Sequence, residues 1–581
     1  MSATGKLSAR WVRLANGIAA RRAAFGGKAT AFVSQPEPRT IGSFARGRQL
    51  TAGNFLLAGH LVQAPGTAVW DLPMPDHAFE SELHGFAWLD DLAAAGDGPA
   101  RTAAQDWLWA WIARYGRGQG PGWTPDLTGR RLIRWINHAF FLLSGQPSER
   151  SETFLRSLAQ QTLFLGQRWR ATQPGLPRFE ALTGLIYAGL SLEGMDRFVE
   201  PARNALAREC TDRIGAAGGL PTRNPEDLLE VFTLLTWAAM ALSEAGRSAS
   251  DAHWTAIERI APTLRNLRHA DGGLARFHGG GRGMEGRLDN ALATSGVKTR
   301  APDSLSMGYA RLSAGRTSVI IDAAAPPIGA ASANAHASTL AFEVTSGRRP
   351  LIVNCGSGES FGAEWRRAGR ATPSHSTLVV AGESSARLGQ PDSPQQEWLI
   401  TGPREVPIQM GQATDGLRFE GAHDGYLRRF GLTHARSLDL TFDGRGIAGE
   451  DMLLSLEDAD KRRFDRALDA TQLAGIRYQV HFHLHPDVDS ALDMGGCAVS
   501  LALRSGEMWI FRTSGPAQMT LEPSVYLEKS RLKPRATKQI VLSGRAMEYA
   551  TRIRWSLAKA QDTPISIRDL AQDDPFAPAD D

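Results

Sequence analysis

Cysteine is scarce: Cys210, Cys355 and Cys497 are the only three in 581 residues. They are scattered and odd in number, so neither a disulfide framework nor a CxxC metal site follows. A reducing compartment suits them. Long apolar runs are missing too, and nothing approaches the ~20 residues of a membrane-spanning helix. The opening MSATGKLSARWVRLANGIAARRAAFG has no apolar core of a secretory signal. These absences predict a cytoplasmic chain without a transmembrane segment. Strong charge of one sign is also lacking. The net charge is +4, and no basic cluster forms a nucleic-acid footprint.

What is present is an ordinary apolar fraction, 42%, enough for the cores of two or three domains. Arginine outnumbers lysine, and its planar fork suits carboxylates and sulfates, so an acidic ligand is expected. Residues 1–50 are rich in Arg and Ala and interrupted by glycine; they predict a mobile or loosely helical lead-in. Residues 51–300 repeat apolar side chains at helical spacing, notably over 81–96, 103–115, 128–145, 151–172, 179–192, 199–217, 225–246 and 253–269. Eight to ten such helices with short loops make an all-α domain. Near residue 300 the period falls to two, and residues 301–557 read as short strands of an antiparallel sandwich or barrel. The acidic, proline-containing stretch 558–581 predicts disorder.

The chemistry-bearing residues gather in and around 331–356, ASANAHASTLAFEVTSGRRPLIVNCG. Leu340, Phe342 and Val344 alternate as in a half-buried strand. If that strand begins early enough, Asn334, His336 and Ser338 share one of its faces. Asn354 ends the next strand, and His375 follows a loop carrying Arg366, Arg367 and Arg370. Near residue 224 the helical rules explain most of the sequence: Asn224 suits an N-cap, Pro225 the first turn, and Glu226 and Asp227 the positive helix end. Arg223 has no such explanation and is a carboxylate-binding candidate. Trp109, Trp111 and Trp135 sit at helical spacing, which favours burial over sugar stacking. His481, His483 and His485 share a strand face and favour structural or surface roles.

Several spaced motifs resemble the heparinase II/III family of polysaccharide lyases. They are NAHASTLAFE at 334–343, LIVNCG at 351–356, WRR at 365–367 and SHST at 374–377. Gly425–Tyr426, His434–Ala435–Arg436, Gly449–Glu450–Asp451 and FHLHP at 482–486 continue the series. Trp123–Thr124–Pro125 with Arg130, Arg131 and Trp135 resembles the family's helical domain. The resemblance implies an incomplete (α/α) toroid followed by an antiparallel β-sandwich. It further implies β-elimination on a uronic-acid-containing, glycosaminoglycan-like polysaccharide or oligosaccharide, and a periplasmic or cell-envelope setting as the alternative location.

By the same resemblance Asn334, His336 and His375 take the catalytic positions, and His336, Asn354 and His375 the positions of a single divalent metal, zinc. Arg223, Asn224, Arg366 and Arg367 are the substrate-binding candidates. Two positions depart from the family: Asn334 stands where it has a catalytic histidine, and Asn354 where it has an aspartate ligand. An amide is no base near neutral pH, and two imidazoles with an amide make a poorer zinc site than two with a carboxylate. The family's tyrosine also has no counterpart near 218–227. A non-catalytic, acidic-glycan-binding descendant is therefore the second expectation, and a glycoside hydrolase with paired carboxylates the third.

Overall fold

The computed structural model describes residues 3–27, 29–299, 304–390, 397–529 and 531–560, and for residues 3–9 the backbone alone. The tail expected to be disordered lies, from residue 561 on, outside the described residues. The chain forms two compact units, one of Met1–Leu220, Asp227–Pro262 and Gly286–Thr299, the other of Pro221–Glu226, Thr263–Glu285 and Arg300 onward. A single boundary at residue 300 does not describe this division, because segments 221–226 and 263–285 group with the strands.

The first unit is helical apart from a hairpin of Asn54–Leu57 and His60–Gln63. The lead-in is better ordered than its composition predicts: Ala3–Ala23 is a helix. Its small residues allow close docking on helix Ser148–Arg168, where Gln160 donates to the Ala20 carbonyl and Arg168 to Asn16. Two predicted helices are each broken in two. Residues 81–96 divide into His77–Gly85 and Trp88–Ala95 because Phe86 takes a left-handed φ of 61°. Residues 128–145 divide at His138 into Pro125–Asn137 and Ala139–Leu143.

Helix Pro125–Asn137 meets Leu176–Ser191 so closely that a Cβ on Gly129 would lie 2.3 Å from the Glu180 carbonyl oxygen, and one on Gly184 2.4 Å from the Gly129 Cα. Only glycine fits that crossing. Aromatic rings fill the interior: Trp111 and Trp135 are fully buried and meet edge-on at 5.5 Å. The enclosed Arg131 guanidinium lies 4.1 Å from the Trp111 ring centre and bonds Gln161 and the His84 carbonyl. These indoles are core.

The second unit is a sandwich of two antiparallel eight-stranded sheets. One runs Ile408–Gln412, Gly416–His423, Thr433–Thr441, Gly446–Leu454, Ala550–Lys559, Met508–Ser514, Ala498–Ala502 and Asp489–Asp493 in spatial order. The other runs Gln518–Tyr526, Arg535–Ala546, Ile476–Leu484, Arg349–Val353, Phe342–Ser346, Thr317–Asp322 and Tyr309–Ala314, with Leu378–Val380 also pairing on Ile476–Leu484. Phe342 of the second sheet stacks on Trp555 of the first at 5.7 Å with a 4° interplanar angle. Inner faces packed in this way make the core.

Alternation along Thr433–Thr441 turns His434, Arg436, Leu438 and Leu440 inward. Two of these are polar, and both are satisfied. Arg436 grips Asp451 with Nε at 2.8 Å and Nη2 at 3.1 Å, and His434 Nε2 lies 2.8 Å from the same carboxylate. The Trp555 indole donates to it as well. Arg436 Nη1 then holds the carbonyls of Leu340 and Ser376. The His434–Arg436–Asp451 motif is therefore a buried brace under the two segments that carry His336 and His375. Its charges are stable only because each is paired and bonded.

Candidate functional site

The segment upstream of Phe342 is not a strand. Strand Phe342–Ser346 starts late because Leu340, fully buried, has a left-handed φ of 65°. Residues 334–341 are turns and irregular backbone, so the expected shared strand face of Asn334, His336 and Ser338 does not form. Asn334 is exposed, while His336 is 2% and Ser338 0% exposed.

His336 and His375 do come together. His336 Nδ1 lies 2.9 Å from His375 Nε2. The backbone N–H of Gly279 donates to His336 Nε2 at 3.1 Å, so the ring hydrogen sits on Nδ1 and points to His375. His375 in turn donates from Nδ1 to the Ala371 carbonyl at 2.8 Å. Both basic lone pairs of this relay are occupied by internal donors. Both rings are enclosed, and burial pushes His375 down to about 4 and His336 well below its usual value, with His375 itself adding to the second shift.

A third histidine, His278, joins them. Its Nδ1 accepts from the His336 backbone N–H at 3.0 Å, which leaves Nε2 facing Asp322 Oδ2 at 3.4 Å. Asp322 also accepts from Ser338 Oγ at 2.6 Å and Arg223 Nη2 at 2.5 Å. Burial alone would raise the Asp322 carboxyl, but Arg223 and His278 hold it well below the usual range. Neither His278 nor Asp322 stands out in the sequence. His278 adjoins a glycine run that reads as a flexible loop, and Asp322 ends an ordinary strand. The close fit of that loop shows only in the structure: a Cβ on Gly279 would lie 2.9 Å from the Asn334 Cβ.

Arg223, expected as a carboxylate binder, is engaged within the protein. Its five N–H groups go to the carbonyls of Met307, Gly308, Ala324 and Ala325 and to Asp322. None is left for a substrate. Asn224 is 3% exposed, and its side chain accepts from the Glu226 N–H at the start of helix Pro225–Glu244. Glu226, half of the carboxylate pair a hydrolase would need, is held by Lys529 and the Gly281 N–H.

Arg366, Arg367 and Arg370 lie on or beside the short helix Ala363–Gly369, not in an open loop. Arg370 is 2% exposed and ties down the carbonyls of Ser332, Ala335 and Glu397. Arg366 stays partly exposed; it donates to Asn334 Oδ1 at 2.8 Å and pairs with Glu397. Arg367 is exposed, as is the neighbouring Trp365.

The metal expectation does not fit these side chains. Asn354 is fully buried and bonds elsewhere: its Oδ1 accepts from the Ser376 N–H and its Nδ2 faces Glu343. His336 and His375 turn their donor atoms on each other. Among the described residues no cluster of three or more His, Cys, Asp or Glu is arranged to hold a metal ion. Glu343 is a further buried carboxylate, at the end of the NAHASTLAFE motif. Burial raises its pKa, but hydrogen bonds from His269 and the Arg276 backbone, together with the Arg276 charge, bring it below the ordinary value. His481 and His483 stack at 6.0 Å and bond Gln539 and the Pro373 carbonyl, a structural arrangement.

The family model for the heparinase II/III-like C-terminal domain matches residues 297–556. FtsZ-localized protein C of Caulobacter vibrioides is 31% identical over 540 residues, covering 90% of this chain and 89% of that protein. Among solved structures, heparinase III superposes with a TM-score of 0.69 at 12% identity, over 92% of this chain and 87% of that one. A heparan sulfate lyase HepC mutant from Pedobacter heparinus superposes at 0.58 and 15%, over 94% and 88%. These likenesses give the fold as an (α/α) toroid followed by an antiparallel β-sandwich. No helix among the described residues is long and apolar enough to cross a membrane. With its motifs, its two-part fold and a full-length relative in agreement, the chain belongs to the heparinase II/III family.

Proposed function

We propose that this protein keeps the lyase fold but not the lyase reaction, and that it binds an acidic saccharide while working beside FtsZ. The observation that carries the reading is the closed His336–His375 relay. A general base needs a free lone pair within reach of the proton it takes. Here one lone pair faces the Gly279 N–H and the other faces His336. Asn334, at the position of the family's catalytic histidine, cannot act as a base in their place. The group of exposed Asn334, Trp365 and Arg367 with partly exposed Arg366 offers what recognition of a sugar carboxylate or sulfate requires: an amide, guanidinium forks and an aromatic face. The setting beside FtsZ is supported by the name of the Caulobacter relative.

The second reading is β-elimination on a uronate glycan. The contact of Asn334 with Arg366 favours it, since together they can neutralise the carboxylate that acidifies the C5 proton. One experiment separates the two. Purified protein is incubated with heparan sulfate, chondroitin, hyaluronan and alginate while the near-ultraviolet absorbance of an unsaturated uronate is followed, and binding is measured by calorimetry. A fluorescent fusion is imaged with FtsZ in parallel. Binding without new absorbance, in wild type and in Asn334→His, together with co-localisation, is the expected result. Absorbance that disappears in His336→Ala or His375→Ala establishes the lyase instead.

A further inference from the structure

The helix Ala3–Ala23 carries a buried stripe of small residues and a separate exposed apolar stripe. The inward one is Asn16, Ala19, Ala20 and Ala23, at most 8% exposed and docked on helix Ser148–Arg168. Its i, i+3, i+4, i+7 spacing accounts for how the helix is held. The second stripe is left exposed. Trp11, Leu14 and Ile18 follow i, i+3, i+7 on the opposite side and are 67%, 54% and 41% exposed. Phe25, just past the helix end, is 92% exposed. Arg10, Arg21 and Arg22 flank the outward stripe and are exposed as well. No Asp or Glu occurs in the sequence before Glu37. An apolar stripe with a tryptophan, bordered by arginines and free of carboxylates, has the chemistry of a helix that lies in a membrane interface.

We infer that this helix docks the protein on an anionic lipid surface, with Trp11, Leu14 and Ile18 entering the acyl boundary and Arg10, Arg21 and Arg22 meeting lipid phosphates. Charge complementarity selects lipid over a second copy of the chain, because two such helices face to face would bring arginine against arginine. The inference does not depend on the glycan reading. It makes the protein peripheral to a membrane rather than spanning it.

The test is co-sedimentation of the full chain with vesicles of phosphatidylglycerol and phosphatidylethanolamine, against vesicles of phosphatidylcholine alone. Circular dichroism melting serves as the check on folding, and light scattering as the check on oligomeric state. Wild type is expected to pellet with the anionic vesicles only, and less so in high salt. The triple variant Trp11→Ser, Leu14→Ser, Ile18→Ser should lose about tenfold or more of this affinity with an unchanged melting curve, the scale of withdrawing three apolar anchors. The reversal Arg10→Glu, Arg21→Glu, Arg22→Glu should lose it too. Wild type left in the supernatant overturns the inference, as does a triple or a charge-reversed variant that binds like wild type. Equal binding to neutral vesicles removes the electrostatic half and overturns it as stated. A dimer that the triple variant dissociates would assign the stripe to self-association instead.

Discussion

Arg223 Nη2 and Asp322 Oδ1 lie 2.5 Å apart, with side chains 10% and 0% exposed. The pair joins the segment before helix Pro225–Glu244 to the end of strand Thr317–Asp322, and Asp322 then positions His278 and Ser338. The arginine that the sequence offers as a carboxylate binder is thus held in a closed internal network.

Removing one partner of that pair should be severe. Asp322→Ala leaves an enclosed guanidinium without its counter-charge, and the expected loss is about 3–5 kcal/mol. Urea denaturation followed by fluorescence measures it. A loss within ordinary surface values would show that Arg223 finds water in the folded protein.

Acid should weaken the fold in two stages. Burial holds His375, His481 and His483 at about 4, while the unfolded chain titrates near ~6.5. Above that value both states are neutral. Below it the unfolded chain takes up protons that the folded sites refuse, so stability falls by about 1.4 kcal/mol per pH unit for each histidine until the folded ring titrates. Asp322 and Glu343, held below their usual values, act lower. Their contribution is complete above the unfolded carboxylate pKa of ~4 and is lost as the pH falls below it. Unfolding midpoints from neutral pH down to the carboxylate range should show both slopes, and His375→Gln should flatten the first by one proton.

Arg366 and Arg370 should separate recognition from scaffolding. Arg366→Ala removes a partly exposed, charge-assisted donor beside Asn334 and should weaken an acidic oligosaccharide by about tenfold, with little change in melting. Arg370→Ala removes the clasp on three carbonyls and should lower the melting temperature instead. Calorimetric titration and thermal melting of the two variants check this. Equal affinities for Arg366→Ala and wild type would move the saccharide elsewhere.

Zinc should not stabilise the protein. A resident ion at one hundred times its Kd would add about 2.7 kcal/mol, whereas the His336–His375 pair offers no free lone pair. Unfolding midpoints with zinc and with chelator should coincide. A rise with zinc that His375→Ala abolishes would restore the metal site.

Much of the architecture was legible because it rests on local periodicity. The switch from helical to strand spacing and the burial of Trp111 and Trp135 follow from side-chain spacing alone. The meeting of His336 with His375 was legible only through the family motifs. What escaped depends on backbone conformation or distant partners. Phe86 and Leu340 adopt left-handed φ that their residue types rarely take, so one helix broke and one strand started late. Arg223 recruits carbonyls some eighty to a hundred residues away, and no local pattern announces a guanidinium clasping backbone. His278 reaches the relay from a glycine-flanked turn, where sequence spacing carries no period.

The interleaving of the two units bears on how the polypeptide can be made and cut. Segments 221–226 and 263–285 are translated amid helices yet belong with strands that emerge later. During synthesis Arg223, Arg276 and His278 must wait, unpartnered, until Asp322, Asn354 and His336 leave the ribosome. A fragment begun at residue 300 would carry every strand of the sandwich and still lack those three side chains. Proteolytic dissection there would yield an incomplete β unit, so the smallest autonomous piece containing the histidine relay has to begin upstream of Pro221.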